Sequence, residues 1–199
     1  MKFSAFILAL ISQICIAAPT LQELSASLST QVTSPVRQFS TQNFGREQYL
    51  KAVSALIPTN DVEQTLERVR KVLPEGAIAF IGTTRILPEG PGEAELVVFA
   101  SDNQLDILKV AQTDGINHDL TNDLIVSRLE SWDKAYGIDI WQAESDTIQL
   151  TFKTLPDDIA AFQEEIYAFC PDIIDQGSGD INDIGNYLRQ ANSVYLWWD

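Results

Sequence analysis

The segments 77-AIAFIG-82 and 95-ELVVFA-100 decide the reading of the fold. Each is an apolar run of strand length, and the Gly- and Pro-rich residues 83–92 between them supply a turn, so the two are expected to pair as an antiparallel hairpin. Successive side chains of a strand point to opposite faces. In AIAFIG both faces are apolar. The same holds near the C-terminus, where Val194, Leu196 and Trp198 share one face and Tyr195 and Trp197 the other. Strands of this kind need cover on both sides.

The segments around this pair supply the rest. Residues 138–142 and 147–152 read as a second hairpin, with Ile148, Leu150 and Phe152 alternating against polar neighbours. Helical stripes run through Val62, Leu66, Val69 and Leu73, opened by the Asn60–Glu63 capping pattern and stopped by Pro74. Others pass through Leu105, Leu108 and Ala111, capped by Ser101 and Gln104, and through Ile125, Leu129, Trp132 and Tyr136. A further stripe, Ile159, Phe162, Ile166 and Phe169, lies between Pro156 and Pro171, and a last helix covers 180–190. Leu50, Val53 and Ile57 predict one more helix over 46–57, ended by Pro58. The sum is an α+β fold: a mainly antiparallel five-stranded sheet covered by helices, with the N-terminal helices packing on the second face.

Residues 1–17 have the layout of an export signal: Lys2, an apolar stretch to Ile16 and small residues at the end, with cleavage expected after Ala17. The apolar stretch is too short and too interrupted to span a bilayer. Cys15 follows the bulky Ile14, which disfavours lipid attachment there. Residues 18–45 are expected to be a tether or a loosely docked arm, since 13 of the 24 residues from 20 to 43 are Ser, Thr or Gln, with Leu21, Leu24 and Leu28 offering one weak helical stripe before Pro35. A helical extension over 46–76 and an α+β domain over 77–199 complete the organisation. The expected location is the bacterial periplasm or the exterior.

Thirteen basic residues against 28 acidic ones leave a net charge of −15, and removal of residues 1–17 takes away Lys2 and leaves −16. A surface this negative repels phosphate backbones, which excludes nucleic-acid binding as a main activity. One His and two Cys are too few for a zinc site or a disulfide framework.

Five blocks carry a family resemblance: IGTTR (81–85), LDILKVAQTDG (105–115), WDKAYGIDI (132–140), YAFCPDIIDQG (167–177) and YLWWD (195–199). In this order they resemble an uncharacterised bacterial family, domain of unknown function 4253, over about residues 78–199. The resemblance implies no reaction and no cofactor. Its blocks contain the candidate binding residues Arg85, Asp172, Asp175, Gln176, Trp197, Trp198 and Asp199.

The residues offer several chemistries. Cys170 and His118 could form a nucleophile pair, but Cys170 ends an amphipathic helix, where a thiol is usually a small buried hydrophobe, and His118 reads as a loop residue bonded to a neighbour. Residues 173–185 look like strand, Gly-rich turn and helix, an arrangement that cradles phosphate, yet Asn182 replaces the third glycine and Asp172, Asp175, Asp180 and Asp183 would oppose an anion. The same aspartates invite calcium, but Ile184 and Ala191 break the ligand pattern. Neither catalytic nor metal-ligating residues are assigned. Residues 156–199 hold nine acids and one base, Arg189, a surface suited to a basic protein partner. The expected function is therefore binding, through the acidic C-terminal face or an aromatic-lined groove, one concrete form being an inhibitor or immunity-type protein that masks a basic toxin or a wall-active enzyme. The alternatives are a hydrolase using Cys170 or the clustered aspartates, and a structural component of the envelope.

Overall fold

The computed structural model describes residues 17–39, 51–85 and 92–199. The expected export signal with Cys15, Leu50 of the expected first helix and most of the Gly- and Pro-rich turn lie outside them. Strands β1 (Arg37–Gln38), β2 (Ala52–Pro58), β3 (Ala77–Arg85), β4 (Glu93–Ala100), β5 (Ile138–Ala143), β6 (Thr147–Phe152) and β7 (Ser193–Trp197) form one sheet. Their order is β1-β2-β4-β3-β5-β6-β7. Neighbours are antiparallel except β3 and β5, which meet in parallel at Ile81 and Gln142. The α+β class stands, but the sheet is mixed and has seven strands rather than five.

The helices are α1 (Leu21–Ser29), α2 (Val62–Val72), α3 (Asp106–Ala111), α4 (Asn122–Tyr136), α5 (Ile159–Phe169) and α6 (Asn182–Ala191). On one face of the sheet, Leu24 and Leu28 of α1 and Leu66 and Val69 of α2 pack on Val53, Ala55, Ile57, Ala79, Ile81, Leu96 and Val98. On the other, α3 to α6 bury Phe80, Val97, Phe99, Ile140, Leu150 and Leu196. Phe80 in one core and Ala79 and Ile81 in the other realise the two apolar faces of AIAFIG.

Two N-terminal segments differ from expectation. The helix expected over 46–57 is instead strand β2 from Ala52 onward. Both its faces are buried, so it shows no period of two, while Val53 and Ile57, four apart, imitate a helical stripe. Both are β-branched and suit a pleated surface. The stretch expected to be an arm contains α1, whose Thr20 and Glu23 cap each other's backbone N–H groups in a capping box. Leu24 and Leu28 are fully buried. Its Ser/Thr/Gln composition hides a helix that is held by two leucines.

The parallel meeting of β3 and β5 spans a single register pair, so the backbone groups flanking it need other partners. Side chains supply them. The Arg70 guanidinium donates to the Ala79 carbonyl at 3.1 Å on β3 and to the Ile140 carbonyl at 2.9 Å on β5, and to both carboxylate oxygens of Asp139 at 3.1 and 2.8 Å. Gln104 does not cap α3. Its amide donates to the Ile138 carbonyl at 3.0 Å and accepts the Ile140 N–H at 3.1 Å, as a neighbouring strand would. Replacing Arg70 with Met keeps the aliphatic packing and removes the guanidinium. It is expected to lower the unfolding free energy by about 2–3 kcal/mol in urea denaturation, and Gln104→Ala by about 1 kcal/mol. A loss below about 0.5 kcal/mol for Arg70→Met would contradict this account of the seam.

Candidate functional site

Helix α5 ends at Phe169, and Cys170 then turns the chain toward the C-terminal strand. Cys170 is fully buried. Its thiol accepts the Trp197 N–H at 3.2 Å and donates to the Trp197 carbonyl at 3.0 Å. One side chain thus satisfies the outward backbone groups at the end of β7. Burial pushes the thiol up to about 12, the backbone hydrogen bonds offsetting only part of that cost. It is protonated at neutral pH and its bonding positions are occupied, so it is not a nucleophile in this state.

Two residues on, Asp172 is buried and binds the chain end. Its Oδ2 accepts the Asp199 N–H at 2.9 Å and lies 2.6 Å from Nε2 of His118. Burial works against the ionised form, but the Asp199 N–H, the Gln176 side chain and His118 together outweigh it and hold the carboxyl below its ordinary value. His118 sits on the single 3-10 turn Ile116–His118. The Gly115–Leu120 bridge closes that loop. A β-carbon on Gly115 would come within 2.9 Å of the Trp198 ring, so only glycine lets the loop approach so closely.

His118 borders a cavity of about 310 Å³ lined also by Leu120, Arg128, Glu165, Ala168, Phe169 and Pro171. Arg128 is engaged there by Glu165 at 2.8 Å and stacks over Phe169. Trp132 donates to the same Glu165 oxygen. Among the described residues no hydroxyl or thiol lines this cavity. A histidine oriented by a carboxylate but without a nucleophile in reach lacks the constellation for acyl transfer. His118 and Cys170 serve separate partners.

The segment expected to run strand, turn, helix departs from that reading. Residues Ile173–Ser178 form a π-helical turn broken at Gly177, and Gly179 reverses the chain at φ 76°. Pro171 starts it, its carbonyl accepting from the Ile174 and Asp175 N–H groups. Asp180 accepts from the Asn182 N–H at 2.9 Å just before α6, whose N-cap residue is Ile181 with no side-chain cap. Among the described residues, no three His, Cys, Asp or Glu side chains converge as metal ligands would.

The sequence-predicted site residues separate into groups. Asp172, Gln176 and Asp199 converge with His118. Asp175 is exposed and accepts the Tyr167 hydroxyl at 2.9 Å, and this contact and its charge raise the Tyr167 phenol above its ordinary value. Trp197 is half-buried on the face of β7 opposite the α5–α6 core. Trp198 is a core residue, 3% exposed, packed edge-on to Phe169 with its indole N–H on the Phe169 carbonyl. Arg85 ends β3, paired in register with Glu93, and its side chain lies outside the described residues. Strands β5 and β6 separate it from β7, three strand spacings or roughly 14 Å.

Sequence reasoning missed the contact between His118 and Asp172, which are 54 positions apart and share no local pattern. It also missed the groove beside β7, about 450 Å³, lined by Ile173, Ile174, Ser178, Asp183, Ile184, Asn186, Tyr187, Gln190, Val194 and Tyr195.

Fold and site together define an α+β protein with a two-faced mixed sheet and the C-terminal strand β7 at its edge. Residues 95–199, more than half of the chain, match the family model described as Domain of unknown function (DUF4253), and the chain belongs to that family. The match starts in β4, so β3 with the IGTTR block and Arg85 precedes it. No curated protein and no solved structure matches the chain. Among the described residues no helix is long and apolar enough to cross a membrane.

Asp172 sets a pH dependence whose sign is fixed. Its native pKa is depressed, so the unfolded chain binds the proton more readily, and the contribution is present above the ordinary carboxylate value of 3.8 and lost as pH falls through the native one. Asp172→Asn is expected to lower the Tm by about 5 °C at pH 7, with the gap to the natural protein closing toward pH 3. A gap as wide at pH 3 as at pH 7 would contradict the assignment.

Proposed function

We propose that this is an exported bacterial protein that works by binding, its acidic C-terminal face recognising a basic protein partner. The observation that carries the reading is the charge of residues 156–199, nine acids against Arg189 alone, with Asp175, Asp180, Asp183 and Asp199 all exposed. Concentrated charge of one sign speeds association with a complementary surface and discriminates against others. An inhibitor or immunity-type protein that masks a basic toxin or a wall-active enzyme fits the export signal, the size and the charge.

The geometry around the two residues with most chemical potential supports the same reading. The Cys170 thiol is spent on the backbone of Trp197, and the His118 imidazole faces Asp172. A hydrolase built on Cys170 would need that thiol released and lowered. A purely structural envelope component would need no salt-sensitive partner.

Charge reversal tests the reading. The mature chain and the triple variant Asp175→Lys, Asp180→Lys, Asp183→Lys, all at exposed positions, are immobilised and challenged with an envelope extract at low salt. The expected result is a basic protein that elutes with salt, with association at least tenfold slower on the variant. Absence of any salt-eluted protein, or equal binding by the variant, would overturn the proposal.

A further inference from the structure

Among the described residues β7 is the last strand of the sheet, and one of its edges has no neighbouring strand. The alternation of its backbone can be followed residue by residue. The Asn192 carbonyl accepts from Phe152 of β6, and the Trp198 N–H donates to Asp146 at the start of β6, so the even-numbered residues face β6. The odd-numbered ones face away, as Trp197 shows by giving both its backbone groups to Cys170. Tyr195 is the odd-numbered residue between Trp197 and the buried Ser193. Its N–H and carbonyl are directed outward, and among the described residues neither has a recorded partner.

Natural sheets protect an open edge with Lys, Pro, a bulge or a covering element. Among the described residues none of these is present at Tyr195. The edge borders instead the groove of about 450 Å³ floored by Ile173, Ile174, Ile184 and Val194. Tyr187 on its rim and Tyr195 are 46% and 43% exposed, two of the most exposed large apolar residues described. The groove lies on the α5–α6 side of the sheet. On the other side Glu144 accepts from Gln142, which is bonded to Gln149, the register partner of Tyr195; burial, and then the charges of Asp146 and Glu144, push the Tyr195 phenol above its ordinary value. Asp183 stands at the groove itself.

We propose that the β7 edge at Tyr195 and the adjoining groove form a docking site for an extended segment of the basic partner, one that alternates apolar and basic side chains. The proposal rests on the binding function above and names its mode. An added antiparallel residue opposite Tyr195 exchanges two backbone hydrogen bonds with it. That residue's side chain falls on the face of Tyr195 and Glu144, where a Lys or Arg is favoured. Its two neighbours point to the opposite face and place apolar side chains over Ile174, Ile184 and Tyr187. A second copy of this chain fits less well, because pairing β7 with β7 brings two strongly acidic faces together.

The probe is the capped peptide Lys-Val-Lys-Val-Lys-Val-Lys, titrated into the mature protein at low salt while amide hydrogen exchange is followed by NMR. The expected result is salt-sensitive binding with exchange of the Tyr195 N–H slowed at least tenfold at saturation. The Glu-for-Lys peptide, and the Lys peptide with its valine nitrogens and its lysine nitrogens N-methylated, bind at least tenfold more weakly. Tyr195→Pro removes the outward donor at a position where an edge strand tolerates proline, and Tyr187→Lys alters only an exposed rim residue. Each is expected to weaken the peptide at least tenfold. Salt-sensitive binding that leaves the Tyr195 N–H unprotected overturns the edge proposal and spares the acidic-face reading. Absence of binding by the Lys peptide, equal binding by the N-methylated form, or a dimer that protects Tyr195 without peptide, each overturns the edge proposal.

Discussion

Two antiparallel half-sheets, β1-β2-β4-β3 and β5-β6-β7, meet at one parallel backbone pair, and everything C-terminal to β4 is positioned by that junction. Backbone amides inside a fold cannot be left without partners. Where β3 and β5 diverge, the groups on their facing edges are reached by Arg70 from the helix above one face and by Gln104 from the loop before α3. Arginine suits the first position because its planar fork serves two carbonyls and a carboxylate at once. The N-terminal segment is thereby part of the same fold as the family region, since α2 carries the residue that joins the halves.

At the far edge of the second half-sheet, the C-terminal strand is fastened at its end and left open in its middle. A thiol and a carboxylate do the fastening, and both are groups that in other settings perform chemistry. Here Cys170 substitutes for a missing strand at Trp197, and Asp172 holds the Asp199 N–H. The consequence for function is double. The reactive groups are committed to structure, and the open backbone of Tyr195 sits beside apolar surface within an acidic field. This combination is what directs the functional reading toward recognition of a basic partner.

Legibility in the sequence followed the physics of each element. Long amphipathic helices such as α4 and α5 show their stripes because one side is wet. The two-sided cover of the sheet was readable from AIAFIG because both parities are apolar. Strand β2 was not, since a strand buried on both faces loses its alternation and Val53 and Ile57 then imitate a helix. Helix α1 was masked by composition, although Thr20, Glu23, Leu24 and Leu28 carry a cap and a stripe. At the site, the acidic charge was legible from composition, while of the seven residues named from the sequence the structure brings Asp172, Gln176 and Asp199 together. The burial of Trp198, the pairing of His118 with Asp172 and the open edge at Tyr195 depend on contacts between distant segments, which no local pattern encodes.

The most direct test of this picture is native-state hydrogen exchange of the β7 amides in the free protein. The account predicts slow exchange for Val194 and Leu196, which face β6, and for Trp197 and Asp199, which are held by Cys170 and Asp172, with fast exchange at Tyr195 between them. Uniform protection through Tyr195, or rapid exchange at Trp197 and Asp199, would contradict a strand clamped at its end and open at its centre.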